Sequence, residues 1–242
     1  MALLKHLPNF LTLLNLLCGC IALQHAAEFN FEVAFSWVCL GIFFDFFDGF
    51  FARKFGVAGP LGVQLDSLAD MVTSGVVPGY VMMCMLSGQA FPMPIHGFFP
   101  YLGFLITLGA CYRLANFNID TRQSDSFIGL PTPANALFIM SLPLVARYAP
   151  NPAWFVGLQQ PWVLVGITLL STWVMNAPLP LFSLKIKKFS ISAYKLQLGF
   201  VAYAMLLLVF LKIVAVPFII LSYVIVSVLH TFFTRATLGM KK

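Results

Sequence analysis

Only eight acids occur in the 242 residues, and four of them, Asp45, Asp48, Asp66 and Asp70, fall within 26 positions. The chain there runs Asp45-Phe-Phe-Asp48-Gly49-Phe-Phe-Ala52-Arg53 and, eight residues on, Gly62-Val-Gln-Leu-Asp66-Ser-Leu-Ala-Asp70. Spacings of three and four put each pair on one face of a helix. The intervening Lys54–Leu61, with two glycines and Pro60, signals a reversal, so two adjacent helix ends present four carboxylates to one another. Such charges repel strongly at low dielectric, and divalent cations relieve that repulsion. Hard oxygen donors suit Mg²⁺ or Mn²⁺ rather than Zn²⁺. Two ions so held would clamp a pyrophosphate and stabilise the leaving group of a phosphoryl transfer. Gly49 and Ala52 leave room beside Asp48 for a planar ligand, and Arg53 can add a charge-assisted contact to phosphate. A lone acid at a helix end is usually a solvated cap, and a pair can serve an ion pathway; four with these neighbours point to a metal site.

The elements that must position these acids are membrane helices. Hydrophobic residues make up 60% of the chain and charged ones 9%, against about 25% charged in a soluble domain. This excludes a soluble enzyme, a disordered chain and a secreted disulfide scaffold. The expected fold is an all-α, polytopic membrane bundle forming one domain over residues 1–242. Windows long enough to cross the hydrocarbon core occur at 10–26, 33–53, 63–86, 98–115, 131–148, 161–177, 195–211 and 214–231, about eight helices. Lys212 and Pro217 predict a tight reversal between the last two rather than one very long helix.

With the N-terminus inside, twelve of the fourteen basic residues lie on the cytoplasmic side and only Arg147 and Lys212 opposite, a strong positive-inside bias. The chain is therefore expected in the cell membrane with its acidic cluster on the cytoplasmic face. Segments 87–97 and 149–160 read as outward loops. The stretch 177–194, with Lys185, Lys187 and Lys188, reads as an amphipathic anchor to anionic lipid. The net charge of +6 is explained by residues beside the spans, so no nucleic-acid partner is implied. The five cysteines and four histidines have no metal-ligand spacing and read as ordinary packing residues.

Three polar features lie outside the cluster. Asn9, Thr12 and Asn15 interrupt the first apolar run; Asn9 and Asn15 suit caps or packing, and Asn9 equally a nucleotide contact. Arg113, at the cytoplasmic end of the fourth helix, is a cation that needs an anion: a ligand's carboxylate or phosphate, or Asp120. The Gly129-Leu-Pro-Thr-Pro133 loop is placed to shape the entrance to the fifth helix.

The pattern D-x2-D-G-x2-A-R-x8-G-x3-D-x3-D resembles the signature of the CDP-alcohol phosphotransferases, with every defining position present. That resemblance implies a six-helix membrane core, here with extra C-terminal helices, often dimeric. It also implies displacement of CMP from a CDP-alcohol by a hydroxyl acceptor. It assigns Asp45, Asp48, Asp66 and Asp70 as ligands of Mg²⁺ or Mn²⁺ and Asp70 also as the base. Asn9, Gly49, Ala52, Arg53 and Gly62 would bind the nucleotide and pyrophosphate. The stretch Pro8-Asn9-Phe-Leu-Thr12-Leu-Leu-Asn15-Leu-Leu-Cys-Gly19 is similar to the N-terminus of the phosphatidylserine synthases of this family. So is Arg113-Leu-Ala-Asn116-Phe-Asn118 with Phe127-Ile-Gly129-Leu-Pro131. This implies CDP-diacylglycerol and L-serine as substrates, phosphatidylserine and CMP as products, and a homodimer. Arg113, Asn116 and Asn118 are the candidates for serine or lipid phosphate, Asn116 standing where many members carry Arg or Lys. The alternatives are another acceptor, such as glycerol 3-phosphate or inositol phosphate, and a divalent-cation transporter using the same aspartates.

Overall fold

A computed structural model describes residues 2–88, 97–119, 127–148, 152–181 and 195–239. Helices α1 (Ala2–Ala27) and α2 (Phe31–Lys54) pack along their lengths as a hairpin. Phe29, at φ 59°, turns the chain between them. Their seam is built from small buried residues, Ala22 and Ala26 against Ala34 and Gly41, which let the backbones approach closely.

The third crossing is not one uniform helix. Helix α3 (Pro60–Asp70) passes into a π-helical segment (Met71–Val76) and then α4 (Val77–Leu86). Pro78 explains the widened turn. It has no N–H, and in an α-helix its ring would strike the carbonyl of residue 74. Here Val77 N–H reaches the carbonyl of Val72, five residues back. Thr107 donates its hydroxyl to the Gly75 carbonyl at 2.9 Å, tying the segment to the next crossing. That crossing is a 3-10 turn (Phe99–Phe104) leading into α5 (Leu105–Ile119). Gly103 lies directly on α4: a Cβ there would stand 2.8 Å from the Met83 Cα and 2.9 Å from the Met82 carbonyl carbon. Because backbone cannot yield as a side chain does, Gly103→Ala should destabilise the protein by about 1–3 kcal/mol. The measurement is the unfolding midpoint in detergent, with Gly166→Ala as control, since a Cβ at Gly166 meets nothing within 4 Å.

Strand β1 (Phe127–Ile128) precedes α6 (Thr132–Tyr148), which packs against α2, α4 and the π segment and contributes much of the core. Helices α7 (Pro152–Gln159) and α8 (Pro161–Asn176) follow, then β2 (Pro180–Leu181), antiparallel to β1 with Phe127 opposite Leu181. Helix α9 (Lys195–Leu211), a 3-10 turn (Lys212–Val214) and α10 (Ala215–Gly239) complete the chain. Lys212 adopts φ 50°, and the rings of Phe200 and Tyr223, with centroids 5.8 Å apart, show that α10 folds back on α9. At the end of α2 away from the aspartates, Glu32 pairs with Arg147 at 2.9 Å and accepts a hydrogen bond from the Tyr148 hydroxyl.

Five helical stretches are long and apolar enough to cross a membrane; the last, Leu196–Thr231, contains the Lys212 reversal. The all-α, polytopic expectation therefore holds, including that reversal. Helices α6 and α8, of 17 and 16 residues, are shorter than those five. One expectation changes. Residues 149–160 are not simply a loop, because α7 occupies Pro152–Gln159. Of the stretch 177–194, β2 occupies Pro180–Leu181, and residues 182–194, with all three lysines, lie outside the described residues. Most of 87–97 also lies outside them.

Candidate metal centre

The carboxylates come from two helices whose ends are held together by a third. Asp45 and Asp48 lie in the last turns of α2, and Asp66 and Asp70 in the last turns of α3. Asp45, Asp48 and Asp66 each offer a carboxylate oxygen within 4.8 Å of the others. Asp45 is also within Coulombic reach of Asp70. Asp48 and Asp70 are only 6% and 7% exposed, so water does little to screen this concentration of like charge. Arg53 sets one positive charge against Asp48. One guanidinium against four carboxylates leaves a deficit that divalent cations fit, and the donors are all oxygen, the hard set Mg²⁺ and Mn²⁺ prefer.

Helix α1 supplies what orients the acids. Thr12 donates its hydroxyl hydrogen to Asp48 Oδ2, with the Pro8 carbonyl, 3.1 Å away, as the alternative acceptor. Asn15 Nδ2 donates to Asp70 Oδ1 at 3.1 Å. Thr73, in the π segment, donates to the Asn15 carbonyl at 3.1 Å and so fixes α1 against the turn that follows Asp70. Gly41 makes room for this: a Cβ there would stand 2.8 Å from Asn15 Oδ1 and 2.9 Å from Thr73 Cγ2. The two polar residues at positions 12 and 15 face the acids, three apart on one side of α1. That spacing within the apolar run is the sequence signal for their role.

The expected nucleotide residues gather at the same end. A Cβ on Gly62 would lie 3.6 Å from Asn9 Oδ1, so α1 and α3 meet there without bulk between them. The Arg53 guanidinium folds back over Gly49, 3.3 Å from where a Cβ would stand. Ala52 is half-buried on the same helix.

The three residues expected to hold serine or lipid phosphate are dispersed. Asn118 accepts a hydrogen bond from Ser67 at 3.1 Å, beside Asp66. Asn116 is exposed. Arg113, 9% exposed, donates to the Met175 carbonyl at 2.6 Å, in the last turn of α8. A cation at that position complements the negative end of the helix dipole. Gly129, at φ 76°, fits under the same guanidinium, with its N–H on the Leu179 carbonyl at 2.8 Å. Asp120, the other anion considered for Arg113, lies outside the described residues.

The sequence pattern of the family described as CDP-alcohol phosphatidyltransferase matches residues 5–174. A Bacillus subtilis protein named CDP-diacylglycerol--serine O-phosphatidyltransferase is 33% identical over 139 residues, 57% of this chain and 76% of the relative. A Helicobacter pylori protein of that name is 33% identical over 138 residues, 55% of each chain. One from Methanocaldococcus jannaschii is 31% identical over 155 residues, 63% of this chain and 69% of the relative.

Proposed function

The chain belongs to the CDP-alcohol phosphatidyltransferase family, and on that premise we propose that it makes phosphatidylserine. The phosphatidyl group of CDP-diacylglycerol would pass to the hydroxyl of L-serine, releasing CMP. The observation that carries this reading is the convergence of Asp45, Asp48 and Asp66 within 4.8 Å at one end of the bundle, with Asp70 beside them. The names of the relatives support serine as the acceptor.

The lipid chains of CDP-diacylglycerol stay in the bilayer while its head group lies at the carboxylates, on the cytoplasmic face by the distribution of basic residues. Asn9, Gly49, Ala52 and Gly62 form the low-relief wall against which the cytidine rests, and Arg53 contacts the pyrophosphate. The serine oxygen attacks the lipid-side phosphorus. The bond to the CMP oxygen breaks, and Asp70 takes the serine hydroxyl proton. Asp45, Asp48 and Asp66 would hold Mg²⁺ or Mn²⁺, in one or two ions, with Asp70 as a further ligand; when bound, the metal offsets charge on the pyrophosphate and leaving group. Thr12 and Asn15 hold two of the carboxylates in place, so that most of the rate comes from positioning and electrostatics.

Purified protein with CDP-diacylglycerol and a panel of acceptors, assayed by CMP release, tests the reading. Release should require serine, stop with a chelator and return with Mn²⁺ or Mg²⁺. Release driven by glycerol 3-phosphate or inositol phosphate but not by serine would reassign the acceptor. Metal uptake into proteoliposomes without any CMP release would replace the enzyme with a transporter.

A further inference from the structure

Helices α6 and α8 touch sparingly along their lengths. Between them lies a cavity of about 840 Å³, walled on a third side by α10 and bounded by Gly157 and Leu158 of α7. This is the size of a small-molecule or lipid-chain site. Among the described residues its lining is apolar apart from Asn135 and Ser171. Asn135 is completely buried. Its Oδ1 accepts from Ser171 Oγ at 2.6 Å, and its Nδ2 has no partner among the described residues. A buried amide donor left unsatisfied is costly, so the site asks for an acceptor attached to an apolar body.

Depth identifies that body. Asn135 sits three residues into α6, about 4.5 Å along the helix from Thr132 at a rise of 1.5 Å per residue. The lining then continues along α6 to Val145, about 15 Å further at the same rise, or half of the ~30 Å hydrocarbon core. A polar acceptor near one end of α6, beside an apolar slot of this length, is the outline of an ester-linked acyl chain. No residue of α1 to α4 lines the cavity, so it is separate from the aspartates. We propose that this cavity holds one acyl chain of a resident membrane glycerophospholipid, whose ester carbonyl accepts a hydrogen bond from Asn135 Nδ2.

Native mass spectrometry of the full chain in mild detergent tests this with two probes, dioleoylphosphatidylcholine and its ether-linked analogue, which lacks both carbonyls. The wild type should retain the ester lipid and hold the ether analogue about fivefold less well, the worth of one hydrogen bond. Asn135→Leu should hold the two alike. Gly157→Phe and Val163→Phe should lose both lipids by filling the slot. The fold has room for them, since a Cβ at Gly157 meets nothing within 4 Å and Val163 is 42% exposed. Three results would overturn the proposal: no ester preference in the wild type, a preference that persists in Asn135→Leu, or retention unchanged in both filled variants. Displacement of the retained lipid one-for-one by CDP-diacylglycerol would also overturn it, by assigning the cavity to the substrate. Retention is read without any transfer assay, so it stands or falls apart from the reaction proposed above.

Discussion

Asp70→Asn should release CMP about 10²- to 10⁴-fold more slowly than wild type at saturating metal, the range lost with a general base. Asparagine keeps the shape of the side chain and removes the group that takes the serine proton. The comparison that gives this meaning is with Asp45→Asn, Asp48→Asn and Asp66→Asn, the three residues whose oxygens converge within 4.8 Å. Those variants should chiefly raise the metal concentration needed for activity, because each deletes a charged donor from the cation site. Titrating Mn²⁺ against CMP release separates the two behaviours. Asp70→Asn turning over at the wild-type rate would remove Asp70 from the chemistry. Recovery of Asp70→Asn by excess metal would make it a ligand only.

The second large effect is expected one contact away. Asn15→Leu removes the amide that holds Asp70 Oδ1 at 3.1 Å and leaves the carboxylate free to rotate among its like-charged neighbours. Partners of this kind are worth about 10- to 100-fold in activity or metal affinity. The loss should fall on kcat more than on the KM for serine, since Asn15 is completely buried and acts through Asp70. Asn15→Gln, with its amide intact, should recover more of the rate than Asn15→Leu does. Gly41→Ala should give a milder version of the same defect, because the new methyl would press on Asn15 Oδ1 and Thr73 Cγ2. Equal rates for wild type and Asn15→Leu would reduce Asn15 to a packing residue.

What could be read in the sequence was what local spacing determines. The i,i+3 and i,i+4 pairs of aspartates, the Gly/Pro reversal between them and the apolar windows are each set by residues near one another in the chain. Lys212 was likewise legible as a turn, because a charge inside a long apolar run needs an exit from the bilayer. What escaped depends on partners distant in sequence. Thr12 and Asn15 were visible as polar interruptions, but their acceptors lie 36 and 55 residues away. Arg113 was recognised as a cation in need of a counterpart, and one of its partners is a helix-end carbonyl, which no side-chain pattern announces. Helix α7 was hidden for another reason. Pro152 read as loop punctuation, whereas it stands at the first position of a helix, where proline is well tolerated. The β1–β2 pairing, two residues on each side, is too short to leave an alternating pattern.

The π segment after Asp70 has a consequence for how this crossing tolerates changes in length. A π turn spends more chain on each revolution than an α turn does, so the aspartates and Gly79 are phased to one another by the number of residues between them as well as by their identities. Losing one residue from Met71–Val76 would let the segment close as an ordinary α-turn, with α4 nearly in phase but with Pro78 pressed against the carbonyl four residues before it. Gaining one would instead swing α4 by about 100° relative to Asp70, so that Gly79 would leave Thr107 and a bulkier neighbour would take its place, while every carboxylate stayed in its own helix. Between the acids and Pro78, chain length is therefore constrained as tightly as residue type, and substitutions there should be far better tolerated than insertions or deletions.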